Sequence, residues 1–134
     1  MGIFSEFFAE IEDVFIEGNG QYDLEVVGES HYQRHLKVLS ERYSKKGGDR
    51  ELIAKLHYEN TSPHDKKAIR VVIDGGTVGY LSRKDARLFR KRIEKVGLEG
   101  LVISCNVEIV GGKRAGLFKK TDFGVWLDLP IKKL

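Results

Sequence analysis

The sequence predicts a mainly β (α+β) fold: a small antiparallel β-barrel closed by helices, with an extra amphipathic helix at the N-terminus. Three observations carry that prediction. About five or six short segments alternate apolar and polar residues, the period of half-buried strands. Glycine-rich turns join several of them. Stripes of apolar residues at helical spacing lie between and before them. The chain has 134 residues, a normal size for one domain. A chain of that size hides roughly 65–70% of its unfolded surface, so it holds a core without staples.

In chain order, the helix comes first. Phe4, Phe7, Phe8, Ile11, Val14 and Phe15 recur at helical spacing over residues 4–16, with Ser5 near the start and acids opposite. Gly18-Asn19-Gly20 ends it, so residues 1–20 are read as helix plus loose joint and residues 21–134 as the barrel domain. The apolar stripe needs cover, either from its own domain or by docking on a second copy or another protein. So acidic a face does not suit an anionic membrane.

Tyr22 to Glu29 alternates as a strand, with Gly28 at its end. Ser30 followed by Gln33 resembles a capping box, and Tyr32, Leu36, Leu39 and Tyr43 continue at helical spacing. A polar loop over residues 44–50 leads to a second alternation, Glu51 to Tyr58, with Leu52, Ala54, Leu56 and Tyr58 on one face. A polar turn containing Pro63 and Asp65 feeds the strand Ala68–Ile73, and Asp74-Gly75-Gly76 turns it back into Thr77–Leu81. This hairpin brings Pro63, His64, Asp65, Lys66 and Lys67 beside Tyr80, Ser82 and Arg83 at its open end, the best place in the chain for a ligand site.

Ser82 can cap a helix running to Val96, with Asp85 three positions on and Ala86, Phe89, Ile93 and Val96 as the buried stripe. Its other side carries Arg83, Lys84, Arg87, Arg90, Lys91, Arg92 and Lys95. Like charges at this spacing repel by about a few tenths of a kcal/mol per pair. A solvated face tolerates that, and a bound anion relieves it. Gly97 and Gly100 end the helix, Leu101 to Val110 alternates as the clearest strand, Gly111 to Gly116 is a basic hairpin loop, and Phe123 to Leu129 is the last strand.

Charge is unevenly spread. Five of the 20 acids fall in residues 1–20 with no base, so residues 21–134 carry all 23 bases against the remaining 15 acids. A basic body suits a polyanion, though ordinary solvation also accounts for it. Cys105 is the only cysteine, which excludes an internal disulfide and fits a reducing, cytoplasmic location. No basic n-region precedes the phenylalanines, and no apolar run reaches spanning length.

Metal and catalytic chemistry find little footing. His31 and His35 are four apart on a predicted helix, and His57, His64 and Asp65 are further conceivable ligands, but paired cysteines and an HExxH pattern are lacking. No metal or cofactor is expected. Cys105 lies on the apolar side of its strand, and no serine sits in a nucleophile elbow. Glu59, Asp65 and Asp74 are the candidates for a magnesium-dependent nuclease, but a strand of roughly 3.3 Å per residue separates Asp74 from Asp65. The chain is therefore read as a binding module and not an enzyme.

For binding, Tyr32, His31 and Tyr80 can stack on bases, and Arg83, Lys84 and Arg87 can neutralise phosphate. Phosphate repels Asp65, so in such a site it would accept from a sugar hydroxyl or base amine. A local turn cap is its other reading.

These residues carry a resemblance. Val26-Val27-Gly28-Glu29-Ser30-His31-Tyr32, then Glu59 with Pro63-His64-Asp65-Lys66-Lys67-Ala68-Ile69-Arg70-Val71, then Val78-Gly79-Tyr80-Leu81-Ser82-Arg83 with Ala86, resemble the HIRAN domain family in order, over most of residues 22–96. The resemblance implies an OB-like β-barrel that occurs alone in bacteria and phages and fused to chromatin-remodeller-type helicases. It also implies capture of single-stranded DNA by its 3′-hydroxyl end, in repair or replication-fork processing. Carried over by position, Ser30, His31 and Tyr32 match the family's arginine-tyrosine-tyrosine segment, with Ser30 lacking the arginine. Asp65 matches the aspartate that bonds the terminal nucleotide, Tyr80 stands where a histidine is found, and Arg83 falls at or next to a basic pair. A base-stacking phenylalanine corresponds to Phe118 or Phe123. The expected DNA-binding set is thus Ser30, His31, Tyr32, Asp65, Tyr80, Arg83, Lys84 and Arg87.

Overall fold

The computed structural model describes residues 13–44, 52–111, 114–115, 119–120 and 122–134. Nine strands are present among them: β1 (Asp13–Phe15), β2 (Leu24–Val27), β3 (Ile53–Glu59), β4 (Ala68–Ile73), β5 (Gly76–Leu81), β6 (Val102–Val110), β7 (Arg114–Ala115), β8 (Lys119–Lys120) and β9 (Gly124–Asp128). Two α-helices accompany them, α1 (Gln33–Ser44) and α2 (Arg83–Lys95).

Strands β6, β3, β4, β5, β2 and β9 pair in that order, all antiparallel, and β6 pairs with β9 to close a six-stranded barrel. Closure removes the open sheet edges that would otherwise invite other strands. Alternation along the strands sends Leu24, Val26, Ala54, Leu56, Ile103, Cys105, Val107, Val125 and Leu127 inward, as their two-residue period predicts. Burial pushes the Cys105 thiol up to about 12, aided by the Asp128 carboxylate, so it packs as a small apolar group.

The β4–β5 turn is two residues long. Asp74 and Gly75 both have positive φ, at 49° and 78°, as a type I′ turn requires. Helix α1 is fastened to that turn. His35 Nε2 lies 2.8 Å from the Ile73 carbonyl oxygen, while Arg42 and Tyr43 donate to Asp74 Oδ2 at 3.1 and 2.8 Å. Leu36 and Leu39 are buried under it.

Helix α2 packs against the barrel. The Ser82 hydroxyl accepts from the Asp85 N–H at 3.1 Å, the predicted cap. Ala86, Phe89 and Ile93 are fully buried; Val96, expected to complete that stripe, sits past the last turn and is 50% exposed. Burial of a phenylalanine such as Phe89 is worth about 1.5–3 kcal/mol.

Three expectations are corrected. The helix read over residues 4–16 lies outside the described residues up to residue 12, and its last turn is not helical: Asp13–Phe15 is β1, parallel to β6. The Ile16 N–H also donates to the Ser104 carbonyl at 2.9 Å. Pairing with β6 satisfies this backbone, and Val14 and Ile16 face the core while Phe15 stays 47% exposed. Nor is the glycine joint loose, because the Gly20 N–H donates to both oxygens of buried Asp128 at 3.0 and 3.1 Å. The Ser30–Gln33 capping box does not form. Residues Glu29–Tyr32 make a 3₁₀ turn instead, entered through Gly28 at φ 78°. Gln33 grips the backbone ahead of β9: its Nε2 donates to the Phe123 carbonyl at 3.0 Å and its Oε1 accepts from the Phe123 N–H at 2.8 Å.

Candidate functional site

The open end of the β4–β5 hairpin meets three other pieces of chain. Gly28 leaves β2 with a left-handed φ, which swings the following 3₁₀ turn back so that Tyr32 faces this end. Across the sheet, Val27 pairs with Tyr80. The two strands approach closely because position 79 is glycine, where a Cβ would lie 2.5 Å from the Val27 carbonyl oxygen. The polar turn before β4 supplies Asp65, and the cap of α2 puts Arg83 directly after β5.

Tyr32, Asp65, Tyr80 and Arg83 line one cleft of about 390 Å³. Four of the eight expected residues therefore share one site. Ser62, His64, Ala68 and Leu81 complete its lining. His64 belonged to the group expected at the hairpin's open end. Ser62 and Leu81 had no signal of their own in the sequence, since neither residue type marks a binding site by itself.

Asp65 is the most constrained group. Its Oδ1 accepts from the Lys67 N–H at 3.0 Å and from Arg87 Nη2 at 3.2 Å, and its Oδ2 accepts from Arg87 Nη1 at 3.2 Å. The Lys67 N–H first, then the Arg87 guanidinium, hold its carboxyl below the usual range. Asp65 closes its own turn, as its local reading expects, and its side chain, 12% exposed, also lines the cleft. An ionised carboxylate offers about four acceptor positions, so three donors leave capacity for another.

Arg87 is accordingly an ion-pair partner of Asp65 and does not line the cleft itself. Arg83 Nη2 donates to the His64 carbonyl at 2.6 Å, which ties the start of α2 to the polar turn. A guanidinium has five N–H donors, so this leaves others for an anion. Tyr80 stands over Glu59, whose Oε2 accepts from the phenol at 3.3 Å and lies 3.4 Å from Arg70 Nε. Burial, then the neighbouring Tyr32 and Glu59, push the Tyr80 phenol up and keep it neutral.

The other expected residues stand around the cleft. Ser30 and His31 are exposed on the 3₁₀ turn, with the His31 ring edge-on to Tyr32 at 6.3 Å between centroids. Lys84 is exposed beside Arg83. Phe123 packs on the core and does not line the cleft. Phe118 lies outside the described residues.

Among the described residues, no group of three or more His, Cys, Asp or Glu could hold a metal ion. Among them, too, no helix is long and apolar enough to cross a membrane. No family model matches the chain, and neither does a curated protein or a solved structure.

Proposed function

We propose that this chain is a non-enzymatic, HIRAN-like module on an OB-like barrel that takes the 3′-hydroxyl end of single-stranded DNA. The observation that carries the reading is the meeting of Tyr32, Asp65, Tyr80 and Arg83 at one cleft. Each has a role there. The tyrosine rings stack on the terminal bases, a contact worth about 1–3 kcal/mol per base. Asp65, held ionised by its neighbours, accepts from the terminal hydroxyl. Arg83 pairs with the phosphate one step back. His31, edge-on to Tyr32, widens the stacking surface, and Ser30 and Lys84 border it. A module of this kind serves DNA repair or fork processing, where free 3′ ends occur.

Titration of fluorescein-labelled oligonucleotides ending in a 3′-hydroxyl or a 3′-phosphate tests this. The phosphate removes the hydroxyl and sets charge against Asp65, so the hydroxyl end binds about tenfold tighter or more. Equal affinity for the two ends contradicts end capture.

A further inference from the structure

A second depression adjoins the cleft. It has a volume of about 210 Å³ and lies beside α2, lined by Lys67, Arg87, Arg90 and Lys91 and by Tyr58. The two depressions touch through one ion pair: Asp65 lines the cleft, Arg87 lines the groove, and their nearest atoms are 3.2 Å apart.

The groove's floor is built. Arg90 lies over the Tyr58 ring at 4.3 Å, and its two terminal nitrogens donate to Asn60 Oδ1 at 2.8 Å and to the Ala68 carbonyl at 2.9 Å. Those acceptors are neutral, so the Arg90 charge has no carboxylate partner among the described residues. Lys67 and Lys91 are exposed, and no described residue forms an ion pair with either side chain. Glu94 and Glu99 also line the groove. By helix rise Glu94 lies about 10 Å beyond Arg87 and about 5 Å beyond Lys91, so of the α2 residues in the lining the bases come first from the cleft.

Two neighbouring surfaces offer less free positive charge among the described residues. On the outer sheet face, Arg70 is engaged by Glu59 and Thr77, and Lys55 by Asp13. Burial, then Arg70 and Lys55, hold the His57 imidazole below its ordinary value, which keeps it neutral. Among the described residues, the hollow around Trp126 is lined by Asp23 and Glu108 and by no base.

We infer that a DNA strand held in the cleft by its 3′ end leaves across the Asp65–Arg87 pair and lays its next phosphates along the groove, on Lys67 and Lys91. Arg90 supplies a fixed field beneath them, and Arg87 stands between Asp65 and the first of these phosphates. The inference rests on the end-capture reading and extends it from the terminal nucleotide to the strand behind it.

The test compares 5′-labelled dT3 and dT12, both with free 3′-hydroxyls, on the wild type and on the double variant Lys67→Ala/Lys91→Ala. In the wild type dT12 binds roughly tenfold tighter than dT3 at 50 mM salt. The double variant loses most of that gain. Its log–log salt slope for dT12 falls by about 1.4, the amount for two phosphates on a single strand. A gain and slope unchanged in the double variant overturn the groove and leave the cleft reading standing. If the wild type binds neither oligonucleotide, the cleft reading falls and the groove with it.

Discussion

Under the proposed function Asp65 has two jobs whose demands agree. Closing its own turn needs an acceptor two residues before an N–H, and Lys67 provides the donor at 3.0 Å. Reading a hydroxyl needs an acceptor that stays ionised, and the same N–H with Arg87 keeps the carboxyl below its ordinary value of 3.8. The pair's contribution to stability is therefore complete above that value and is lost as pH falls through the lower folded one. The melting-temperature difference between the wild type and Asp65→Asn should be constant from neutral pH to about pH 5 and shrink below that. A difference that persists unchanged to about pH 2 contradicts the pairing. The tyrosines divide differently. Tyr32→Ala removes a stacking ring and should weaken oligonucleotide binding by about 1–3 kcal/mol. Tyr80→Phe keeps the ring and loses only the 3.3 Å bond to Glu59, so binding should change little. A large loss in Tyr80→Phe would show that its hydroxyl, not its face, meets the ligand.

Elements differ in how far the sequence announces them. Helix α2 is legible because its cap, its buried stripe and its basic face are all local patterns, and Ser82, Phe89 and Ile93 behave as their spacing predicts. The β4–β5 hairpin is legible because Asp74-Gly75 has one favoured geometry. Strand β1 is not, since three residues are too few to separate a two-residue period from the end of a helical stripe. Its partner β6, directly beside it in the sheet, comes far along the sequence. Gln33 misleads for a similar reason: the local pattern offers a cap three residues back, and the fold gives it the backbone of Phe123. Gly79 is the element-level hinge of the site, because close approach of β5 to β2 carries Tyr80 to the cleft. Gly79→Ala forces a Cβ into the Val27 carbonyl and should cost about 1–3 kcal/mol by chemical denaturation, with a matching loss of DNA binding. A variant as stable as the wild type contradicts the close approach.

At the scale of the molecule, the barrel fixes where charge goes. Four described ion pairs, Arg42–Asp74, Lys55–Asp13, Arg70–Glu59 and Arg87–Asp65, neutralise bases across the sheet, the hairpin turn and the site. Most of the described bases without an ion pair lie on α2 and the turn beside it, among them Arg83, Lys84, Lys67, Arg90 and Lys91 at the cleft and the groove. That concentration was half visible in the sequence, which shows a basic helix but not which of its bases find partners. The resemblance named residues from three distant segments, and four of them line one cleft; Ser30 and His31 stand outside its lining because the 3₁₀ turn presents only Tyr32 inward. The central claim is that Asp65 reads the terminal hydroxyl, and comparison of the two oligonucleotide ends on the wild type and on Asp65→Ala tests it most directly. Removing the carboxylate also frees Arg87 for phosphate. The account predicts that the wild type prefers the 3′-hydroxyl about tenfold or more and that Asp65→Ala levels or inverts this preference. An undiminished hydroxyl preference in a folded Asp65→Ala protein would contradict it.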